Sequence, residues 1–475
     1  MLPTMEATTS VRADYRSLDE LQQRMRRSRS YAFCPSVRFS SMIAHRPHPL
    51  LAFCLLLLVS PFQAQAQYLV GYWHNWNDAS APYLDLSDID PRYNVIELAF
   101  AEPLPGTTSA IEFVPSLEVP QDFLSQIASL RASGRKVLIS IGGANATVQL
   151  NSEAERDQFV YLTMSMLLTW GVDGLDFDLE GSSVSITGGT IEQPVDSTII
   201  RLIGALEEIM VEYRQATDRK LFLTMAPETA YVQGGMSAYG GIWGAYLPVI
   251  NALRDSIDLL QVQLYNSGSM YGIDGGIYQQ GTADFIVSQT EAVIQGFSTS
   301  GGAFAGMPAS KVAVGLPACG SAAGGGYTDS TAVRAALEYL LGTGPRPGNY
   351  TLANLGGYPD LGGMMTWSIN WDAVSACKGA YSYAENFERI FAEVGTGIAG
   401  TTANDRALHP VPAADRVYLP QASTSVIITD LNGRVVRTHA SGIITEVDVQ
   451  SLPAGTYLLS WITEGKTQHA RFVKE

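Results

Sequence analysis

Histidine and cysteine are scarce in this chain, and acidic side chains outnumber basic ones. Its 475 residues include six His and four Cys, and 30 Lys and Arg stand against 46 Asp and Glu, a net charge of −16. His74 is the only histidine between residues 67 and 408, which disfavours a histidine-based metal site. A nucleic-acid partner is also disfavoured, since phosphate binding needs a basic face. We therefore expect neither a metal nor a cofactor, and no nucleic-acid partner.

The sequence also lacks an apolar run long enough for a stable membrane span. The longest run, residues 50–59, is shorter than the about 20 residues that a spanning helix needs. It precedes Ala-Gln-Ala at 64–66, a small-x-small cleavage site, so residues 42–66 are typical of a signal peptide and the mature chain would begin at Gln67. Residues 1–41 stand upstream of this complete signal. We interpret them as a non-native extension from a start codon assigned too early.

Only Cys319 and Cys377 remain in the mature chain. Export permits a disulfide between them without requiring one. A disulfide and two partly buried thiols are equally consistent with the sequence.

Between residue 68 and about residue 394, short apolar segments alternate with amphipathic ones. The apolar segments have the length and composition of strands, at 68–73, 94–101, 136–141, 172–179, 221–226, 258–265, 311–317 and 362–367. Helical periodicity recurs between them, for example at 121–132, 153–170, 197–214, 246–256, 331–341 and 383–394. The pattern predicts an α/β fold, a closed parallel (β/α)8 TIM barrel over residues 67–394. A doubly wound open sheet is the alternative, because alternation alone is typical of both.

The chain changes character after this region. Residues 395–408 are rich in Gly, Thr and Ala, which is typical of a linker. Residues 409–475 hold short β segments separated by turn signals such as Asp430-Leu431-Asn432-Gly433. We predict that they form a small antiparallel β-sandwich domain.

Three acids occupy one face of the fourth predicted strand. Side chains alternate between faces along a strand, so Asp176, Asp178 and Glu180 share a face and the intervening Leu, Phe and Leu share the other. A solvated acidic face is the simpler alternative, but the apolar residues between the acids fit a buried strand. Buried carboxylates cost stability and are typical of sites of proton chemistry. Their place at the carboxyl end of the strand favours the barrel over the open sheet.

Polar and aromatic residues stand at the ends of four other predicted strands. These ends are Ser-x-Gly-Gly, Met-Ala-Pro-Glu, Gln-x-Tyr-Asn and a segment that begins with Trp, at 140–143, 225–228, 263–266 and 367–372. In a barrel they meet at one mouth. Their mixture of acids, amides, a phenol and indoles suits sugars, whose CH faces stack on aromatic rings. Each residue alone also fits a core side chain or a tight turn.

Together these motifs resemble those of the family-18 glycoside hydrolases, in particular bacterial chitinases. The resemblance covers residues 68–394 and rests on Asp-x-x-Asp-x-Asp-x-Glu at 173–180, with the other motifs in the family's order. It implies substrate-assisted, retaining hydrolysis, in which the acetamido group of the sugar replaces a protein nucleophile. The implied function is a secreted chitinase that hydrolyses β-1,4 bonds of chitin or N-acetylglucosamine oligomers.

The resemblance also implies roles for individual residues. Glu180 would be the general acid for the glycosidic oxygen and later the base for water. Asp178 would orient the acetamide N–H, and Asp176 would share a proton with Asp178. Tyr265 would hydrogen-bond the acetamide oxygen. The implied sugar-binding residues are Trp367 as the floor of the site, Met225, Gln263, Asn266, Glu228, Tyr72, Ser140 and Gly143.

Two other functions remain alternatives. An endo-β-N-acetylglucosaminidase acting on N-glycans would use the same acids, although the motifs of the fifth, sixth and eighth strands favour a chitinase. A chitin-binding lectin would bind without cutting, and such proteins typically lose one of the acids that this chain keeps. Residues 318–361 leave no room for a large insertion between the last two strands. We therefore expect an open groove and internal (endo) cleavage.

The tail resembles the C-terminal sorting domain of the type IX secretion system. The residues that carry the resemblance are Pro410-x-Pro412-Ala413-x-Asp415 and the segments 430–434, 452–457 and 474–475. It implies a Gram-negative host, contact with the secretion machinery, and a protein secreted or attached at the cell surface. A carbohydrate-binding or fibronectin-like sandwich is the alternative. It would need a row of exposed aromatic side chains, for which the tail offers Tyr418, Tyr457, Trp461 and Phe472.

Overall fold

The computed structural model describes most of the chain after residue 66. The described residues are 67–374, 377–391, 413–423, 425–430, 434–439, 443–463 and 466–474. The predicted upstream extension, signal peptide and linker lie outside them. Within these ranges, no helix combines the length and the apolar composition that crossing a membrane requires.

The central sheet has eight parallel strands and one short antiparallel strand, Ile111–Phe113, which pairs with the second of them. In chain order the parallel strands are β1 (Tyr68–His74), β2 (Val95–Pro103), β3 (Lys136–Gly142), β4 (Gly174–Asp178), β5 (Phe222–Met225), β6 (Leu259–Leu260), β7 (Ala313–Pro317) and β8 (Gly363–Trp367). Neighbouring strands pair in this order, and β8 also pairs with β1. Parallel bridges join Leu260 to Val312 and Gln263 to Gly315, between the β6 segment and the β7 segment. The sheet thereby closes, and the predicted TIM barrel is confirmed over the open sheet.

Helices surround the strands. They are α1 (Phe123–Ala132), α2 (Glu153–Trp170), α3 (Ser197–Thr217), α4 (Leu247–Leu253), α5 (Ala283–Gln295), α6 (Ser330–Leu340), α7 (Ile369–Asp372) and α8 (Ser382–Phe391). Local chemistry sets the ends of α2: the Ser152 side chain accepts a hydrogen bond from the Glu155 N–H, and Gly171 ends the helix at φ 63°. The bounds predicted for α2 are therefore confirmed.

The strands are buried on both faces. The main hydrophobic core packs their outward side chains, such as Leu69 and Leu175, against the helices. A smaller cluster inside the barrel includes Val70, Val95 and Leu138. Strands covered on both sides are expected to be apolar on both faces. Polar side chains that replace apolar ones on the inward face therefore mark the barrel interior as unusual.

The predicted strands are all present. Seven of them have bounds within two residues of the prediction, whereas the sixth spans only Leu259–Leu260 and continues through isolated bridges at Gln263. Between β6 and β7, two antiparallel hairpins accompany α5, formed by Ser269–Tyr271 with Ile277–Gln279 and by Phe297–Thr299 with Gly302–Phe304. Between β7 and β8, where every residue is described, α6 is the one regular element.

The strands in the described part of the tail pair in antiparallel orientation. Four strands pair in the order Val435–His439, Val426–Asp430, Gly455–Thr463, Lys466–Lys474, while Arg416–Ser423 pairs separately with Ile444–Asp448. The predicted β-sandwich is confirmed, although the strand Arg416–Ser423 was not predicted because Pro420 interrupts its pattern. Of the tail's four aromatic side chains, Tyr457, Trp461 and Phe472 are buried in the sandwich core. A row of exposed aromatic residues is therefore not available among them.

Candidate active site

Asp176 is buried and accepts four hydrogen bonds. The donors are Tyr72 Oη (2.6 Å), Ser140 Oγ (2.7 Å), Thr224 Oγ1 (2.6 Å) and Gln261 Nε2 (3.2 Å). Strand register explains two of them, because Asp176 pairs directly with Ser140 of β3 and with Thr224 of β5. Each carboxylate oxygen of Asp176 thus accepts two bonds, an arrangement that favours the ionised form.

Asp178 and Glu180 are linked by a single amide group. Gln263 Nε2 donates to Oδ1 of Asp178 (2.8 Å) and to Oε1 of Glu180 (2.9 Å). Gln263 follows Gln261 by two residues, so both side chains point inward as their spacing predicts. Asp178 is buried and Glu180 is partly exposed, which leaves Glu180 accessible from the mouth. None of the four bonds to Asp176 comes from Asp178, so their predicted proton sharing is not a direct hydrogen bond.

The acid groups are held in unequal electrostatic environments. Burial raises the pKa of Asp178 well above its ordinary value, and the charges of Glu180 and Asp176 raise it further. Burial also raises the pKa of Asp176, but its hydrogen bonds from Thr224 and Tyr72 oppose that change. The contrast favours a proton on Asp178 and a negative charge on Asp176.

Tyr265 lies beside the acids under a glycine-rich loop. Burial raises the pKa of its phenol well above the ordinary value, and the charge of Asp178 acts in the same direction, so the hydroxyl remains a donor at neutral pH. Asn266 is exposed, and its backbone N–H and its Oδ1 bond to Gly325. A Cβ on Gly326 would lie 2.6 Å from the Tyr265 Cα. This glycine therefore allows the loop after β7 to cover Tyr265.

Aromatic rings surround Trp367 at the end of β8. Phe100 stacks on Trp367 with ring centroids 5.6 Å apart and an interplanar angle of 9°. Tyr72 and Trp76 lie 5.7 Å and 6.3 Å from the same ring. Trp76 is 37% exposed and Trp367 is partly exposed. The cluster offers flat apolar surface beside the acids, of which Phe100 and Trp76 were not predicted.

The glycine pair after β3 lets its backbone approach β4. A Cβ on Gly142 would lie 2.1 Å from the Asp178 carbonyl oxygen, and the Gly143 N–H donates to that oxygen at 2.8 Å. A Cβ on Gly143 would also lie 2.8 Å from the Phe100 ring. Gly143, like the buried side chains of Tyr72 and Ser140, therefore supports the acids from within the protein.

The first and last residues of the predicted Met-Ala-Pro-Glu segment lie in different environments. Met225 is fully buried and pairs in register with Phe177, and both belong to the core on the outward face. The prediction that Met225 lines the sugar site is therefore wrong, because it is out of phase with the inward Thr224 by one residue. Glu228 is partly exposed, and burial together with the charge of Glu180 raises its pKa.

Glu97 is a buried acid that the sequence analysis missed. It lies on β2, where its Oε1 accepts a hydrogen bond from Gln261 Nε2 (2.7 Å) and lies 2.9 Å from Thr224 Oγ1. The available signal was an acid spaced by two from Val95 and Ala99 in an otherwise apolar strand. Although several carboxyl groups converge here, no group of three or more His, Cys, Asp or Glu side chains in the described ranges is arranged to hold a metal ion.

A disulfide joins two loops at the same end of the barrel. Cys319 and Cys377 are bonded, with their Cα atoms 5.2 Å apart. Cys319 follows β7 and Cys377 follows α7, which comes after β8. Of the two states that the sequence left open, the structure has the disulfide.

Comparisons with known proteins identify relatives of the barrel. Chitinase Chi52 of Paenibacillus xylanexedens is 43% identical over 319 residues, and Chitinase D of Niallia circulans is 43% identical over 320 residues. Each alignment covers 66% of this chain but only 60% of the relative's length. The crystal structure of a family GH18 chitinase from Chromobacterium violaceum superposes with a TM-score of 0.61 at 33% identity, covering 69% of this chain and 83% of that one.

Family models match both parts of the chain. The model for the secretion system C-terminal sorting domain matches residues 407–475. The model for glycosyl hydrolases family 18 matches residues 68–390, about two thirds of the sequence. The acids at the end of β4, the closed barrel around them and this match agree, and the chain belongs to the family-18 glycosyl hydrolases.

Proposed function

We propose that this protein is a chitinase that hydrolyses β-1,4 bonds between N-acetylglucosamine units. The observation that supports this best is the amide of Gln263, which holds Asp178 and Glu180 side by side at 2.8 Å and 2.9 Å. One acid is buried and the other is accessible from the mouth. This pair can supply a proton to the leaving sugar and a polar partner to the acetamido group of the sugar whose anomeric bond is cut.

The first step breaks the glycosidic bond without a protein nucleophile. Glu180 donates a proton to the glycosidic oxygen while the acetamido oxygen of the sugar attacks its own anomeric carbon. Asp178 orients the acetamide N–H through a carboxyl oxygen, and the negative charge of the Asp176–Asp178 pair stabilises the positive charge of the resulting oxazolinium ion. Tyr265 donates a hydrogen bond to the acetamide and fixes its position for attack.

The second step releases the sugar with its configuration retained. Glu180, now a carboxylate, takes a proton from a water molecule that attacks the anomeric carbon. The oxazolinium ring opens and restores the acetamido group. Asp176 keeps its negative charge beneath Asp178 throughout, because four donors surround it.

Aromatic and polar residues at the mouth would hold the substrate. Trp367 and Phe100 present stacked rings on which the CH face of a sugar can lie. Gln263, Asn266 and Glu228 would supply polar groups to the substrate. Tyr72, Ser140 and Gly143 were expected from the sequence to bind sugar, but all three are buried, and we propose that they act as positioning residues instead.

Cleavage within the chitin chain is the proposed mode. The β7–β8 connection contains α6 and no further sheet or domain that could wall off the groove. An open groove accepts a long polymer at any point along its length. Release of mainly long products early in the digestion is the expected consequence.

We propose the following domain organisation for the whole chain. Residues 1–41 are a non-native extension, 42–66 a signal peptide, 67–394 the catalytic barrel, 395–408 a linker and 409–475 the sorting domain. The match of the tail to a secretion sorting domain supports export to the surface or exterior of a Gram-negative bacterium through that machinery.

One experiment separates the chitinase from its two rivals. The products from chitin oligomers and from a high-mannose glycoprotein are compared for the wild type, Glu180→Gln and the control Glu153→Gln, an exposed acid on α2. We expect cleavage of the oligomers only, a loss of roughly a hundredfold to ten-thousandfold in Glu180→Gln with binding retained, and wild-type rates in the control. Release of N-glycans would favour the endo-β-N-acetylglucosaminidase. Binding of chitin without any cleavage would favour the lectin.

A further inference from the structure

Glu97 is a fully buried acid that the proposed mechanism does not use. It lies on β2 inside the barrel, with 0% of its surface exposed. It shares two neighbours with Asp176: Thr224 Oγ1 lies 2.9 Å from Glu97 and 2.6 Å from Asp176, and Gln261 Nε2 lies 2.7 Å and 3.2 Å away, respectively. Thr224 and Gln261 therefore connect Glu97 to the row of acids.

The two acids compete for the same hydrogen atoms. The Thr224 hydroxyl has one proton, and its shorter distance assigns that proton to Asp176. The oxygen of Thr224 is then free to accept a bond from Glu97. A protonated Glu97 supplies that bond through Oε1–H. If Glu97 were ionised, its Oε1 and the Thr224 Oγ1 would lie 2.9 Å apart with no proton between them.

The surroundings of the second carboxyl oxygen of Glu97, Oε2, also indicate that Glu97 is protonated. Among the residues that the structure describes, Glu97 Oε2 is buried without a hydrogen-bond donor, because the neighbouring Tyr72 hydroxyl donates to Asp176 Oδ2 at 2.6 Å. An unpartnered carbonyl oxygen of a neutral acid costs far less than an unpartnered carboxylate oxygen. Asp176, by contrast, has two donors on each oxygen.

The side chains that face Glu97 also favour its protonated, neutral form. The polar and titratable side chains around it are Tyr72 from β1, Asp176 and Asp178 from β4, Thr224 from β5 and Gln261 from β6, and its direct register partner on β3 is Leu138. None of these is a cation. Two adjacent buried carboxylates without a cation resist ionising together, so one of the pair holds a proton.

We propose that Glu97 is a positioning residue of the active site, which remains a neutral carboxylic acid and, through Thr224 and Gln261, holds Asp176 in its ionised form. The chain of donors runs from Glu97 Oε1–H to Thr224 Oγ1 and from Thr224 Oγ1–H to Asp176 Oδ1. Burial and the charge of Asp176 raise the pKa of Glu97 well above its ordinary value, in agreement with this order.

The consequence for catalysis rests on the proposed function. An ionised Asp176 keeps a proton on Asp178, because two neighbouring carboxylates disfavour a second charge. Loss of the Glu97 hydroxyl frees Thr224 and Gln261 to reorient, and Asp176 then loses part of its stabilisation. Asp176 would then become protonated at a higher pH than in the wild type. Activity would therefore be lost first on the acidic side of the pH profile.

The first test measures the proton on Glu97 directly and requires no activity. Infrared spectra are recorded at neutral pH for the wild type and Glu97→Gln, and the carbonyl stretching band of a protonated carboxyl group is compared. We expect the intensity of that band in Glu97→Gln to fall by the contribution of one carboxyl group. The matched control is Glu291→Gln, another buried glutamate, which accepts four hydrogen bonds, from Tyr350, Tyr358, Ala353 and Asn354, and should leave the band unchanged. An unchanged band in Glu97→Gln would overturn the proposal.

The second test measures the effect on the reaction. In Glu97→Leu, which cannot donate to Thr224, we expect kcat to fall roughly tenfold with KM little changed, and the acidic limb of the pH profile to rise by about one unit. Glu97→Gln, whose amide can still donate to Thr224, should recover most of the lost kcat and return the limb toward the wild-type position. Equal losses in both variants, or an unshifted acidic limb in Glu97→Leu, would overturn the proposal. If the wild type does not cut chitin at all, the proposed function fails while the infrared test of Glu97 still stands.

Discussion

At the scale of single residues, the barrel interior concentrates acids that an apolar core would exclude. Glu97, Asp176 and Asp178 are all buried, and burial is the first cause that raises the pKa of each. Hydroxyl and amide donors from neighbouring strands offset part of this cost. Such an arrangement is unfavourable for folding alone and is typical of sites of proton chemistry.

This cost makes stability depend on pH in a defined direction. A raised pKa in the folded state means that Glu97 binds its proton more tightly when folded, so its contribution is complete below the ordinary value of 4.5 and is lost as the pH rises through the folded value. We expect the free energy of unfolding by urea to fall with rising pH above about 5, by up to roughly 1.4 kcal/mol per pH unit for this group. In Glu97→Gln that part of the slope should vanish. Identical slopes in the two proteins would contradict the assigned shift.

The sequence predicted the acids of β4 more reliably than their partners. Three acids at spacing two stand out in a strand whose other face is apolar, and the structure places Asp176 and Asp178 inside as predicted. Glu97 was missed because a single acid carries no such periodicity. Met225 was assigned wrongly because its motif was followed without the strand alternation, which turns it toward the helices.

At the scale of elements, the loops after β7 and β8 are linked to each other at the mouth of the barrel. The Cys319–Cys377 bond joins them, and Gly325 and Gly326 of the first loop contact the backbone of Asn266 and Tyr265. The Ala318 N–H also donates to the Trp367 carbonyl oxygen at 2.9 Å. The disulfide therefore fixes a loop that touches two proposed substrate-binding elements.

Removal of the disulfide should reduce stability. The bond closes a loop of 58 residues, for which the chain-entropy estimate is about 4 kcal/mol. We expect Cys319→Ser combined with Cys377→Ser to lower the melting temperature by several degrees or more, measured by calorimetry. A reductant should lower the melting temperature of the wild type and have no effect on the double variant, which serves as the control. Equal melting temperatures without reductant would show that the bond contributes nothing to stability.

Element positions were predictable where local chemistry and periodicity agree. The Ser152 cap and Gly171 fix both ends of α2, and the predicted bounds match the structure. The sixth strand was predicted too long, because its regular pairing stops at Leu260 and only isolated bridges continue. Those bridges depend on the closure of the barrel, which is a contact between distant segments and leaves no local signal.

At the scale of the whole molecule, closure of the barrel brings the acids, the amides and the aromatic rings to one end. β4 supplies Asp176 and Asp178, the β6 segment supplies Gln263 and Tyr265, and β8 supplies Trp367. These residues are far apart in sequence, and the alternation of strands and helices is enough to predict that they converge. The location of the site could thus be predicted from the order of strands, whereas its individual hydrogen bonds could be found only in the structure.

In the proposed mechanism, the acetamido group of the substrate is the nucleophile. The most direct measurement compares the cleavage rate of an N-acetylglucosamine oligomer with that of the same oligomer lacking the acetyl group on the sugar whose anomeric bond is cut. Loss of an internal nucleophile should lower the rate by about a thousandfold or more, with the barrel and Glu180 unchanged. Equal rates on the two oligomers would contradict the account.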